Sequence, residues 1–280
     1  MARSHMNWSQ AAWVPVWRSL LLGAALAVAA DALAETVPVR YPEGASHAYL
    51  ALVGPDGRWA AEGEMFQTVN GDRVDSRLVL YFKDGSLHDE RAIFSQHGVF
   101  TLLKYELTQN GPSFPESMEI TLERPTGQYV VRTRTGAERA EQTHSGRLEL
   151  PADVYNGMLL LLLKNLPLGS HETVHLVVFT PKPQLVSLAL FPVRQQTVKI
   201  GTVTKQATQY HIKPQLGRMV RWFGRLLGIL PADDHYYCWI LHDGVPAFVQ
   251  FEGPLTLKGP IWRLEILHPH LPLSIGKRLK

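Results

Sequence analysis

Between residues 47 and 135 the chain is built of short runs in which apolar and polar side chains trade places every second position. The runs at 59–66, 77–82, 100–107, 117–123 and 129–135 have strand length and are rich in β-branched and aromatic residues. Between them stand Asn70-Gly71, Asp84-Gly85, His97-Gly98, Asn110-Gly111 and Thr126-Gly127. Glycine accepts positive φ at little cost, so such pairs are hairpin signals. The repetition predicts one antiparallel sheet extended hairpin by hairpin. Polar residues at alternate positions predict that one of its faces is wet. The β pattern returns after residue 167, at 173–180, 184–191, 197–203 and 208–212, and again at 236–241, 247–251 and 262–267. Turns at 242–246 and from Gly253 punctuate the last set.

Two stretches break this rhythm. Residues 152–167 (ADVYNGMLLLLLKNLP), wound at about 100° per residue, place Val154, Tyr155, Met158, Leu159, Leu161, Leu162, Leu163 and Leu166 over most of the circumference. A helix apolar nearly all round must be buried on most sides. The pattern therefore predicts a central helix over 153–166, with Pro151 before it and Pro167 after it. Asp153 is placed to cap it, Asn156 to bond a neighbouring strand, and Gly157 to admit another element closely. Its apolar run is far shorter than the roughly 20 residues of a membrane span. Residues 216–230 (LGRMVRWFGRLLGIL) gather Arg218, Arg221 and Arg225 on one side of a helix, opposite Met219, Phe223, Leu226 and Leu230. Trp222 falls at the boundary. Two readings of this amphipathic helix stand open: a helix packed on the sheet with its arginines in water, or a lid or membrane-contacting element.

The fold class expected is mainly β: a strongly curved antiparallel sheet or incomplete barrel around one central apolar helix, plus one amphipathic helix. A single β-rich domain is expected over residues 35–280. Hydrophobic residues at 45% and charged residues at 19% are those of a folded globular chain.

The first 34 residues read as a secretory signal. Arg18 closes a short basic region, residues 19–30 (SLLLGAALAVAA) are apolar, and Ala32-Leu33-Ala34 offers a cleavage site. An uncleaved N-terminal anchor is the other reading. Residues 1–5 resemble a tag remnant ahead of Met6. Export points to a bacterial periplasm. Cys238 is the lone cysteine, so no intramolecular disulfide forms. A net charge of +3 gives no reason to expect nucleic acid as a partner.

A set of phrases carries a resemblance. These are Asp84-Gly85-Ser86-Leu87 with Glu90, residues 109–115 (QNGPSFP), residues 150–157 (LPADVYNG) leading into 163–167 (LKNLP), and Gly253-Pro254-Leu255 with Gly259-Pro260-Ile261-Trp262-Arg263. Together they resemble an exported bacterial protein family of unknown function, over roughly residues 59–267. In layout rather than motif, the chain is also similar to periplasmic lipoprotein carriers. That likeness implies an open, curved sheet holding a helix over an apolar cavity. It implies no catalytic residues.

Chemistry is sparse in the pattern. In His235-x2-Cys238-x3-His242 a strand would turn His235 and Cys238 to opposite faces, so three ligands cannot meet one ion. His268-Pro269-His270 lacks further ligands nearby, and Asp233-Asp234 reads as a solvated turn. Neither a nucleophile elbow nor a phosphate-cradling glycine loop is present. No cofactor and no catalytic residue is assigned.

The function expected is therefore binding or carriage of an apolar small molecule, a lipid or acyl chain, in the periplasm. The cavity candidates are Tyr155, Met158, Leu159, Leu162 and Leu166. The lid or membrane-contact candidates are Arg218, Arg221, Trp222, Phe223, Arg225 and Leu226. Two alternatives stay open: a non-enzymatic structural or assembly factor of the envelope, and a hydrolase whose site is assembled from distant residues.

Overall fold

The computed structural model describes residues 36–135, 141–179, 183–215, 236–256 and 259–267. These form a 14-stranded sheet in which every pairing is antiparallel, ordered β8-β7-β6-β5-β4-β3-β2-β1-β14-β13-β12-β11-β10-β9. The first arm comprises β1 (Ser46–Val53), β2 (Trp59–Asn70), β3 (Arg73–Phe82), β4 (Leu87–Ser95), β5 (Thr101–Asn110), β6 (Ser117–Glu123), β7 (Gln128–Arg134) and β8 (Glu141–Arg147). The second comprises β9 (Glu172–Val178), β10 (Gln184–Ile200), β11 (Val203–Gln215), β12 (Tyr237–Leu241), β13 (Ala247–Gly253) and β14 (Trp262–Ile266). The arms join where the last strand meets the first, with Leu52 opposite Leu264. The outermost strands, β8 and β9, are not paired with each other, so the sheet is open.

Hairpin-by-hairpin growth follows from the glycines. Gly71, Gly85, Gly98, Gly111 and Gly127 all sit at positive φ between consecutive strands. At Gly127 a Cβ would stand 2.0 Å from the Leu148 carbonyl oxygen, so the close approach alone demands glycine there. The second arm departs from the sequence pattern. Runs 184–191 and 197–203 are not two strands: β10 passes through Pro192 at a register shift between Pro192 and Arg194, and turns at Gly201. A bulge is where a strand tolerates a residue with no N–H to donate.

One hydrophobic core draws on both arms. It contains Leu52, Leu80, Phe94, Leu102 and Leu122 from the first, and Leu190, Tyr210, Ile240 and Leu264 from the second or the seam. Strands that lie far apart in the sheet order can share one core because the sheet is curved.

The helix inside this core is much shorter than residues 153–166. Only α1 (Leu159–Asn165) is helical, and Met158 occupies its N-cap without a side-chain hydrogen bond. Two local facts prevent an earlier start. Val154 forms a parallel bridge to His175, which draws this stretch into extended pairing with β9. Gly157 stands at φ +71, a left-handed conformation that no helix continues through. Asp153 is therefore not the cap that the pattern suggested. The helix stops at Leu166, whose ψ of 142 is the extended conformation forced on a residue before proline.

Residues 153–165 tie separate parts of the chain together. Tyr155 Oη accepts from Val37 N–H at 3.0 Å, and Asn165 Oδ1 accepts from Arg40 and Tyr41 N–H at 2.9 and 2.7 Å. Lys164 Nζ pairs with Glu43. The lead-in 36–43 is in turn held by Val39 N–H on the Gly98 carbonyl and Phe100 N–H on that of Val37. Among the described residues no helix is long and apolar enough to cross a membrane.

Candidate functional site

Each strand of the first arm turns one side-chain set to the core and the other to solvent. On the solvent side of β2–β7 lies a trough of about 810 Å³. Its walls carry Asp75 and Arg77 from β3, Asp89 and Arg91 from β4, Glu106 from β5, Glu119 from β6 and Arg132 from β7, with Phe66 of β2 at one side.

The register explains the charge grid. Arg77 and Arg91 stand directly opposite one another, an arrangement that repels. Each escapes to a diagonal carboxylate. Arg77 Nε and Nη2 donate to Asp89 Oδ1 and Oδ2 at 2.8 and 2.6 Å, and Arg91 Nε and Nη2 donate to Asp75 Oδ1 and Oδ2 at 2.8 and 2.5 Å. Arg91 Nη1 also reaches Glu106 Oε2 at 3.3 Å. Lys104 then bridges Glu106 and Glu123 at 3.0 and 3.1 Å. The hydrogen bond from Arg91 holds the Asp75 carboxyl below its ordinary range, and the same pair raises the Arg91 guanidinium.

Four carboxylates (Asp75, Asp89, Glu106, Glu119) against three guanidiniums (Arg77, Arg91, Arg132) leave the lining at −4 + 3 = −1. Such a surface offers no concentrated positive field for a polyanion. Arg77 and Arg91 are already paired in planar, two-pronged geometry, and Arg132 lies 3.5 Å from Glu119. Exposed aromatics continue the same face: Tyr49, Phe66 and Tyr81, with the His47 ring stacked on Phe66 at 4.4 Å.

The core side holds a different polar set. Glu90 accepts from Tyr105 Oη at 2.9 Å, and burial pushes both groups' pKa up. His88 is buried, with Nδ1 2.9 Å from Gln109 Nε2 and the Phe114 ring 6.4 Å away. Asp153 is fully buried, and its Oδ2 lies 2.6 Å from His175 Nδ1. A carboxylate that orients an imidazole is two-thirds of a hydrolytic triad. Among the described residues no serine, threonine or cysteine side chain bonds that imidazole.

The backbone around this pair points to a different role. His175 N–H donates to the Asp153 carbonyl at 2.9 Å, and Tyr155 N–H donates to that of His175 at 3.0 Å. Asn156 continues the ladder with its side chain: Nδ2 donates to the Val177 carbonyl at 2.8 Å, and Oδ1 accepts from Val177 N–H at 2.9 Å. Residues 153–156 thus cover the outer edge of β9. Asn156→Ala leaves the N–H and carbonyl of the buried Val177 without partners, and should cost about 2–4 kcal/mol. A urea titration of the variant checks it.

The cavity candidates from sequence are all in one place. Tyr155, Met158, Leu162 and Leu166 are buried in the core, and Leu159 packs against it half-buried. Burial raises the Tyr155 phenol. The lid or membrane-contact candidates Arg218, Arg221, Trp222, Phe223, Arg225 and Leu226 lie outside the described residues, as do residues 1–34, His235, Asp233-Asp234 and His268-Pro269-His270. Cys238 is a free, buried thiol raised by desolvation, and His242 Nε2 meets Tyr210 Oη at 3.1 Å. Among the described residues no three histidine, cysteine, aspartate or glutamate side chains converge as a metal site.

Alternation in the sequence marks a wet face, but the trough itself was not legible there. Its only trace is the spacing Asp75/Arg77, Asp89/Arg91 and Lys104/Glu106, opposite charges two residues apart on successive strands. Comparison with family models, with curated proteins and with solved structures returns no match.

Proposed function

We propose that this is an exported, non-enzymatic structural or assembly factor of the bacterial envelope, a curved sheet closed over its own hydrophobic segment. One observation carries the reading. Tyr155, Met158, Leu162 and Leu163 are each no more than 1% exposed, and they belong to the same core as side chains from both arms of the sheet. Protein interiors filled by the chain's own side chains pack as densely as an organic crystal, and the described side chains of this core leave almost no exposed surface for a second tail to cover. Carriage of a lipid or acyl chain, the other reading open from sequence, requires that the segment swing out or that the sheet open. Each step would expose apolar surface at about 25 cal/mol per Å². The solvent-side trough supports the same reading, since its charges are satisfied within the sheet and it faces away from the core.

Native mass spectrometry of the protein released from its own envelope tests this. The expected mass is that of the polypeptide alone, the same before and after delipidation. A co-purified lipid released by delipidation would return the protein to the carrier class.

A further inference from the structure

We infer that strand β8 is a docking edge for β8 of a second copy, joining two sheets about a two-fold axis through His144. The pairing is a property of the edge and holds whatever the interior carries.

The two edges of the sheet are treated differently. That of β9 is covered by residues 153–156. Among the described residues nothing pairs with the outer side of β8. Uncovered edges present a row of free donors and acceptors that template pairing with another chain. Which groups β8 presents follows from its hairpin. Leu148 N–H donates to the Gly127 carbonyl at 2.9 Å, so the even-numbered residues of this strand direct their backbone to β7. Glu141, Thr143, Ser145 and Arg147 therefore direct theirs outward.

The strand reads Glu-Gln-Thr-His-Ser-Gly-Arg. Laid antiparallel against itself with His144 on the axis, it sets Glu141 opposite Arg147 of the second copy, and Arg147 opposite Glu141. Thr143 meets Ser145 in the same way. All four outward-facing residues then fall in hydrogen-bonded pairs, the geometry an antiparallel ladder requires. Shifting the centre by one residue either way takes each acidic end off its basic partner. Backbone parity is met by any register centred on a residue, charge selects the one centred on His144, and the contact closes on itself as a dimer.

Both charged groups are placed for it. Glu141 Oε2 is held by Arg134 Nε at 2.9 Å, while Oε1 lies 4.0 Å from Arg132 Nε, beyond hydrogen-bond reach. Arg147 is exposed and makes no ion pair within the described chain. Every residue of β8 except the half-buried His144 is exposed. A short polar edge of this kind gives a weak, reversible dimer rather than an obligate one.

Sedimentation velocity of the full chain, from low micromolar to about 1 mM, tests the inference with charge reversals. The wild type is expected to dimerise with rising concentration. Glu141→Arg or Arg147→Glu alone places like charges across both ends of the pairing, and should weaken the dimer about tenfold or more. Mixing the two monomeric variants should restore it, because each then meets its complement. A fold lost through mutation could not be rescued in this way. His144→Cys should form an intermolecular disulfide on air oxidation, since Cα atoms at a non-hydrogen-bonded pair stand about 4.5 Å apart. A wild type that stays monomeric throughout, or a dimer indifferent to both reversals, would overturn the inference.

Discussion

Leu162→Asp is expected to leave no stably folded protein at neutral pH. Leu162 is fully buried in α1, and the helix lies against β12 and β13 within a core fed by both arms. Removing the leucine side chain alone costs about 2–5 kcal/mol. A carboxylate placed there must also be stripped of water or protonated, a further cost of several kcal/mol. The sum approaches the whole stability of a domain, about 5–15 kcal/mol. Leu159→Asp, on the half-buried side of the same helix, should be much milder. Leu162→Met, which keeps the volume, should cost less than about 1.5 kcal/mol. Circular dichroism and urea midpoints for the three variants make the check. A Leu162→Asp protein with an unchanged midpoint would mean that this helix is not part of the core.

The contrast between those two leucines marks where the pattern alone stops being informative. A run of five leucines, 159–163, shows no preferred side, so it announces burial without direction. The structure gives it direction through contacts distant in sequence: Val37 on Tyr155, Arg40 and Tyr41 on Asn165, His175 and Val177 on residues 153–156. The hairpins of the first arm were legible because the glycines that set them act within a few residues. β4 and β8 were not, since residues 88–91 (HDER) and 141–147 (EQTHSGR) lack apolar alternation and become strands only through their partners. Asp153 failed as a predicted cap for the same reason: helix propensity after it lost to an edge needing cover. The trough is of this kind too, because a like-charge pair such as Arg77 and Arg91 is visible only once the register is known.

Acidification should destabilise the fold well before its surface carboxylates titrate, and His88 is the cause. It is only 4% exposed, and burial depresses its imidazole from 6.5 to about 4, with Asp89 pulling weakly the other way. Nδ1 faces the Gln109 amide, whose Nε2 also donates to the Leu255 carbonyl at 3.1 Å. Nδ1 is therefore the acceptor and the ring is neutral. Nε2 then carries the ring's proton, buried without a partner, and a second proton would have to enter at Nδ1 against the amide that donates to it. The unfolded chain binds that proton at its ordinary pKa, so between pH 6.5 and about 4 it holds more protons than the fold. Stability is full above this window and falls as pH drops through it, by about 3 kcal/mol at its foot. Glu90, two residues along the same face and raised by burial, has the opposite sign and offsets part of the loss. Asp75, Asp84 and Glu141, lowered by their partners, add their own losses only below their ordinary range near pH 4. His88→Leu should therefore remove most of the fall in urea midpoint between pH 7 and 4.5, while a decline below pH 4 remains. The rest of that fall comes from His242, whose imidazole pKa is also lowered by burial. If the slope between pH 7 and 4.5 is undiminished by that substitution, the buried neutral imidazole of His88 is not its source.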